Sequence, residues 1–149
     1  MGLPGVPAVA SPTVNGVATR TGDPVLVPDN RCMGRTVLIV DDHAGFRTSA
    51  RRLLEAEGFE VVGEAADGHS GIESARLLLP DLVLLDVQLP DIDGFEVCER
   101  LKQKGPGPDV ILTSTRSGSD FGPLIAESEA LGFVPKAGLS GRALEGLLA

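Results

Sequence analysis

The sequence predicts an α/β protein in which a parallel sheet is covered by helices on both faces. Between residues 35 and 149, short apolar runs alternate five times with segments of helical periodicity, and this alternation is typical of consecutive βα units. The apolar runs are continuous, which indicates strands that are buried on both faces. A chain of 149 residues has room for one domain of ordinary size. We therefore expect a doubly wound (βα)5 sheet.

The predicted strands are five apolar runs, of which the first is also rich in β-branched residues. In chain order they cover residues 36–40, 60–65, 82–86, 110–112 and 133–134. Each run is short and bounded by polar residues, glycine or proline, as strands of a parallel sheet usually are. Right-handed crossovers then leave few arrangements for the five strands.

The predicted helices follow these strands, where apolar residues recur every three or four positions. They cover residues 46–58, 70–79, 95–101, 123–131 and 140–148. Gly58 and Pro80 are residue types that commonly end helices, and Pro123 is tolerated in a first turn. Ser140 is the predicted N-cap of the last helix.

Residues 1–34 differ in composition from the rest of the chain. They hold five of the 11 prolines and five of the 19 glycines, and their few charges cancel. Such a segment buries too little apolar area to offset its chain entropy, so we predict that it is disordered. The predicted domain is residues 35–149, which carry the whole net charge of −8.

Composition and charge argue against several classes of function. A net charge of −8 disfavours direct nucleic-acid binding, which needs clustered cations, and the chain lacks Trp and Tyr for base stacking. No apolar stretch approaches the roughly 18 to 20 residues of a membrane span. Cys32 and Cys98 form neither a metal-binding cluster nor a disulfide framework. We expect two reduced thiols in a cytoplasmic protein.

Polar side chains follow four of the predicted strands. Asp41 and Asp42 follow the first, Asp86 ends the third, Thr113 follows the fourth and Lys136 follows the fifth. Each alone is also compatible with a helix cap or a turn. Together, however, they meet at one edge of a parallel sheet, where ligands bind. Crowded carboxylates of this kind suit Mg²⁺, which would help an Asp to attack a phosphoryl group.

Four segments at these strand ends resemble the receiver domain of two-component response regulators. They are residues 38–42, 84–94, 112–114 and 132–136, read as LIVDD, LLDVQLPDIDG, LTS and GFVPK. The resemblance covers residues 35–149 and implies a flavodoxin-like sheet with strand order 2-1-3-4-5. The Asp-Asp-His start followed by Phe46 and Arg47 is similar to the NarL/FixJ-like subfamily, whose members usually carry a C-terminal helix-turn-helix.

The resemblance also implies roles for the acidic residues. Asp86 would accept the phosphoryl group. Asp42 would bind Mg²⁺ directly, Asp41 mainly through water, and the backbone carbonyl of Gln88 would complete the protein ligands together with Asp86. His43, which begins the first helix, is expected to be a surface residue without companions for a metal site.

Further roles concern the switch between two states. By the same resemblance, Thr113 would be the switch hydroxyl, Lys136 the cation that binds the phosphoryl group, and Phe133 the switch aromatic. Pro90 and Gly94 would shape the loop after Asp86.

Two positions depart from the family pattern. Receivers commonly have Lys followed by a cis Pro, whereas here Pro135 precedes Lys136, so a cis bond is not expected at the usual place. A proline fits β structure only at an edge or a strand end, which agrees with a fifth strand at the edge. Residue 114 is Ser where Ala is common, and we predict that Ser114 and Gln88 influence dephosphorylation.

The sequence therefore predicts a signalling switch with no activity beyond its own phosphorylation and dephosphorylation. A histidine kinase would be the donor, and helix four, strand five and helix five would contact a downstream protein. A phosphorylation-independent pseudo-receiver and the receiver part of a longer DNA-binding regulator stay open as alternatives, as does a homodimer. A haloacid-type phosphatase would need Asp at position 88, which is Gln. The 13 residues after Lys136 suffice for one helix and no effector domain.

Overall fold

The computed structural model describes residues 34–103 and 105–148, which form a five-stranded parallel sheet between two layers of helices. The strands are β1 (Thr36–Val40), β2 (Glu60–Ala65), β3 (Leu82–Asp86), β4 (Asp109–Ser114) and β5 (Gly132–Pro135). Their order, β2-β1-β3-β4-β5, and the (βα)5 fold class confirm the expectation. The predicted disorder of residues 1–34 concerns positions outside the described part, Gly34 excepted, and stays a prediction.

The helices pack against both faces of this sheet. They are α1 (Ala44–Ala56), α2 (Gly68–Leu78), α3 (Gly94–Lys102), α4 (Leu124–Glu127) and α5 (Gly141–Leu148). Gly58 has a φ of +99° and follows the end of α1, as its residue type predicted. Ser140 caps α5, because its Oγ accepts a hydrogen bond of 3.1 Å from the Ala143 N–H.

The core consists of two apolar layers separated by the sheet. Successive side chains of a strand point to opposite faces, so Val37 and Ile39 belong to the layer covered by α1 and α5. Leu38 and Val40 belong to the layer covered by α2 and α3. Every residue of β3 is buried, which explains why its sequence is apolar up to the terminal Asp86.

The fourth predicted helix is much shorter than expected. We predicted a helix over residues 123–131, but α4 ends at Glu127 and follows a 3₁₀ turn at Gly118–Phe121. Ser128 has a ψ of 165° and leaves the helical conformation. Its Oγ donates a hydrogen bond of 2.6 Å to the Ile125 carbonyl and accepts one from Ala130 N–H. These local bonds compete with further helix formation, so the predicted length was wrong.

Helix α2 begins at Gly68 rather than at the predicted residue 70. Its first N–H groups are satisfied from two places: Asp67 accepts from Ser70, and Asp91 accepts from Gly68 and His69 at 2.8 Å each. Desolvation acts to raise the pKa of Asp91, but these backbone hydrogen bonds outweigh it and hold the pKa at about 2. The loop after β3 is thereby attached to the start of α2.

Gly94 provides a test of how tightly the loop after β3 is packed. A Cβ at position 94 would lie 2.4 Å from the Asp86 carbonyl oxygen and 2.8 Å from Val87 Cα. We expect Gly94→Ala to lower the free energy of unfolding by about 2 kcal/mol, because backbone must move. Gly146→Ala in α5 meets nothing within 4 Å and should raise it by roughly 0.5 kcal/mol. Urea unfolding of both variants measures this, and equal effects would contradict the packing argument.

Candidate functional site

The carboxyl ends of the central strands bring the predicted site residues to one edge of the sheet. Asp86 is paired in register with Thr113, and Val40, which precedes Asp41, is paired with Leu85. Pairing continues beyond the strands, because the Val87 N–H donates to the Thr113 carbonyl at 2.9 Å. The positions of these side chains therefore follow from the register of the buried strands.

Lys136 lies between the two buried carboxylates. Its Nζ is 2.7 Å from Asp41 Oδ2 and 3.3 Å from Asp86 Oδ2. The ammonium also lies 4.6 Å from the centroid of the Phe46 ring, so that α1 contributes to its environment. Asp41 and Asp86 are almost completely inaccessible to solvent, and the positive charge between them offsets their mutual repulsion.

Asp86 has the electrostatic environment of a buried carboxylate. Burial is the largest influence and raises its pKa, and the negative charge of Asp41 acts in the same direction. A hydrogen bond of 3.0 Å from the Gln88 N–H to Oδ1 and the Lys136 ammonium oppose the increase. The net result is a pKa above the usual range of an aspartate.

The site has the donor groups of a divalent-cation site. Ligand atoms of Asp41, Asp42, His43 and Asp86 all lie within 4.8 Å of one another. Asp41 is buried, whereas the Asp42 side chain is 36% exposed at the rim. Among the residues that the structure describes, Asp41 Oδ2 receives no hydrogen bond of normal geometry, and its one ion pair is with Lys136. Carboxylate oxygens in this number suit Mg²⁺, so the residues present fit the predicted ion.

His43 belongs to this cluster, which we had not expected. Its ring is exposed, as predicted, but Nδ1 lies 3.0 Å from Asp42 Oδ1 and 3.2 Å from Asp41 Oδ1. The His43 N–H also donates to Asp41 Oδ1 at 2.8 Å. The expectation that His43 lacks companions was wrong, because the turn into α1 folds the ring back over the preceding carboxylates.

Thr113 and Phe133 lie on the neighbouring strands β4 and β5. Thr113 is fully buried, and its Oγ1 has no hydrogen-bond partner among residues 34–103 and 105–148. Phe133 is half-buried in β5, next to Val134, which is paired with Thr113. Its ring packs on Phe121, with centroids 5.7 Å apart. The sequence pattern did not indicate a role for Phe121, because the 3₁₀ turn that carries it was not predicted.

Ser114 and Gln88 contact each other across the site. Ser114 is buried, and its Oγ donates a hydrogen bond of 3.4 Å to the side-chain oxygen of Gln88. The same Oγ accepts a hydrogen bond from the Arg116 N–H at 3.1 Å. Both residues were singled out from the sequence, but their contact depends on the packing of two loops.

Arg47 in α1 makes contacts that support the site. The sequence pattern identified it only as part of the family resemblance and assigned it no role. Its guanidinium donates to the Asp41 carbonyl at 2.6 Å and to Glu64 Oε1 at 3.1 Å. Hydrogen bonding from Arg51, and then from Arg47, lowers the pKa of Glu64 although desolvation opposes this. A pair 17 positions apart on a helix and a strand leaves no local sequence signal.

Comparison with known proteins identifies the family to which most of the chain belongs. The family model for the response regulator receiver domain matches residues 37–145. The virulence-factor regulator BvgA of Bordetella pertussis is 42% identical over 104 residues, which are 70% of this chain and 50% of BvgA. The response regulator GacA of Pseudomonas viridiflava is 37% identical over 106 residues, again 70% and 50%. This chain thus spans about half the length of these relatives.

Solved structures resemble the fold closely. A LuxR-family two-component response regulator from Aurantimonas has a TM-score of 0.70 and 32% identity, over 77% of this chain and 85% of the other. A CheY-like receiver domain from Methanospirillum hungatei has a TM-score of 0.66 and 26% identity, over 76% of this chain and 89% of the other.

In the described part of the chain, no helix has the length and apolar character to cross a membrane.

The raised pKa of Asp86 predicts how stability depends on pH. The folded protein binds this proton more tightly than the unfolded chain, so stability falls as the pH rises from about 3.9 through the raised value. We expect Asp86→Asn, measured with a chelator present, to be more stable at pH 7 by about 1 kcal/mol, because a buried charge is removed. The gain should shrink as the pH is lowered through the pKa of Asp86.

Thermal unfolding between pH 4 and pH 8 measures this difference. Asp120→Asn is the matched control, since Asp120 lies outside the site and pairs only with Arg116 among the described residues. A gain in Asp86→Asn that does not change with pH, or an equal gain in the control, would contradict the electrostatic explanation.

Proposed function

The chain belongs to the family of response regulator receiver domains of two-component systems, and from that premise we propose that it is a phosphorylation-dependent switch. The observation that carries the proposal is the position of Asp86, buried beside Asp41 and contacted by the Lys136 ammonium at 3.3 Å. A nucleophile next to a cation and further carboxylates is the arrangement that phosphoryl transfer needs.

The proposed donor is the phosphohistidine of a histidine kinase. One oxygen of the Asp86 carboxylate forms the new O–P bond, while the electron pair of the breaking P–N bond returns to the imidazole. Asp41, Asp42, Asp86 and the Gln88 carbonyl would hold Mg²⁺, which supplies positive charge against the repulsion between carboxylate and phosphoryl oxygens. Lys136 contributes a further charge and would move from Asp41 Oδ2 toward the phosphoryl oxygens.

The proposed response begins at Thr113. Its buried hydroxyl has no partner in the described part of the chain, so a phosphoryl oxygen on Asp86 would give it one. Phe133 would then follow into the space that Thr113 leaves. These movements would alter the face formed by α4, β5 and α5 and hence its affinity for a downstream protein, since a partner must distinguish the two states.

A second candidate is supported by the lengths of the relatives. BvgA is named as a transcription regulator, and this chain matches 50% of it. The chain would then be the receiver part of a longer DNA-binding regulator. In either case we propose no catalysis on a separate substrate, only phosphorylation of Asp86 and its reversal. The cytoplasmic location and a homodimer remain predictions.

Phosphorylation is tested by the intact mass after incubation with acetyl phosphate. We expect a gain of one phosphoryl group that requires Mg²⁺ and is absent in Asp86→Asn, because the acceptor carboxylate is lost. Lys136→Met should reduce the phosphorylated fraction by about tenfold or more, since it removes the positive charge that contacts Asp86. Asp109→Asn, at the opposite end of β4, is the control and should behave as the parent does.

A negative result leads to a second experiment. Phosphotransfer from purified histidine kinases replaces acetyl phosphate, and transfer there would retain the proposal with a specific donor. Failure with both donors would favour a phosphorylation-independent pseudo-receiver.

The contact between Ser114 and Gln88 predicts an effect on dephosphorylation. Loss of this hydrogen bond, worth about 1 kcal/mol, frees the Gln88 side chain and opens the site to water. We expect Ser114→Ala and Gln88→Ala to shorten the half-life of phospho-Asp86 roughly two- to fivefold. Ser117→Ala, a change of the same type at an exposed position, is the control. Unchanged half-lives in both site variants would contradict a role for this pair.

A further inference from the structure

A groove with negatively charged edges lies between α3 and the one-turn helix α4. Its cavity volume is about 300 Å³, enough for a few side chains. The lining residues are Phe95, Glu99, Leu124, Glu127, Ser128 and Glu129. We call this feature the acidic groove. It exists because Ser128 ends α4 after one turn, so that the chain does not cover the side of α3.

The charges of the acidic groove lack internal partners. Glu99, Glu127 and Glu129 are exposed and form no ion pair with any described residue. Residues 117–131 contain three carboxylates and neither Lys nor Arg. On α3, Arg100 is paired with Glu96, and Lys102 in the last turn is not among the residues that line the groove. The charges that line the groove are therefore all negative, and they attract cations.

The floor of the acidic groove is apolar. Phe95 is half-buried against the core, and Leu124 is 49% exposed although it is a large apolar side chain. An apolar floor between two helices, with charges of one sign along the edge, suits an amphipathic helix that carries cations beside its apolar face. A second copy of this chain is disfavoured, because each copy has a net charge of −8.

We propose that the acidic groove binds a short cationic amphipathic helix of a partner protein. The apolar face of that helix would cover Phe95 and Leu124, and its Lys or Arg side chains would pair with Glu127 and Glu129. This surface differs from the face of α4, β5 and α5 proposed above, although it shares α4.

An aromatic chain connects the acidic groove to Phe133, the aromatic residue of the proposed switch. Phe95 packs edge-on against Phe121 with centroids 5.9 Å apart, and Phe121 packs against Phe133 at 5.7 Å. A movement of Phe133 therefore changes the support of the Phe95 ring in the floor. This second step rests on the proposed function, whereas binding to the groove does not.

The experiment measures binding of a fluorescein-labelled synthetic peptide of Leu and Lys, about 14 residues long and amphipathic as a helix. A peptide with Glu in place of every Lys is the comparison. Fluorescence anisotropy is recorded with the full chain at low and high salt. We expect the Lys peptide to bind, the Glu peptide not to bind, and salt to weaken binding.

Two double variants identify the place of binding. Glu127→Gln/Glu129→Gln removes two charges from the acidic groove, and Glu60→Gln/Glu145→Gln removes two charges elsewhere. We expect the first to raise the Kd roughly three- to tenfold and the second to leave it near the parent value. Leu124→Ser should also raise the Kd, since it removes apolar contact. Equal effects of the two double variants, or equal binding of the Glu peptide, would overturn the proposal.

A final arm separates this proposal from the proposed function. All the titrations above use unphosphorylated protein, so their outcome decides the groove alone. The titration is then repeated after treatment with acetyl phosphate and Mg²⁺, with Asp86→Asn as control. A changed Kd in the parent only supports the aromatic connection. An unchanged Kd despite a confirmed mass gain overturns that connection. If acetyl phosphate gives no mass gain, a histidine kinase replaces it as the donor, and failure with both donors counts against the switch rather than the groove.

Discussion

Two buried carboxylates held by one ammonium are the interaction on which the site depends. Asp41, Asp86 and Lys136 come from three separate strand ends, and each is nearly or largely inaccessible to solvent. Two such carboxylates would repel each other strongly without a cation, and an ammonium left without them would be as costly. The ion pairs therefore connect the carboxyl ends of β1, β3 and β5 through side chains. They also limit the rise in the pKa of Asp86, because burial raises this pKa while the Lys136 ammonium opposes the increase.

Much of the fold could be predicted because the information is local and repetitive. The strand β3 is a run of four buried apolar residues that ends in the buried Asp86, and β1 is a similar apolar run that is followed directly by Asp41. The residues Asp86, Thr113 and Lys136 could be found for the same reason: each directly follows an apolar run, and the carboxyl ends of parallel strands share one edge. For these residues, the position at the end of a strand determines the position in the folded protein.

The elements that escaped prediction depend on contacts between distant or unexpected groups. The start of α2 is extended by Asp91, which is more than 20 positions away. The end of α4 is decided by one hydroxyl, Ser128 Oγ, competing for backbone groups. His43 joins the acidic cluster through the turn that follows Asp42. In each case the contacts of a single side chain decide where a helix begins or ends or which groups lie together. The periodicity of apolar residues does not indicate such contacts.

The distribution of phenylalanines has a spectroscopic consequence. The chain has five Phe and neither Trp nor Tyr. Phe95, Phe121 and Phe133 form the aromatic chain from the groove to β5, and Phe46 lies under Lys136. Only Phe59 is confined to the apolar core away from these contacts. Fluorine labels on phenylalanine would therefore give five resonances: three from the aromatic chain, one from the ring beside Lys136 and one from the apolar core.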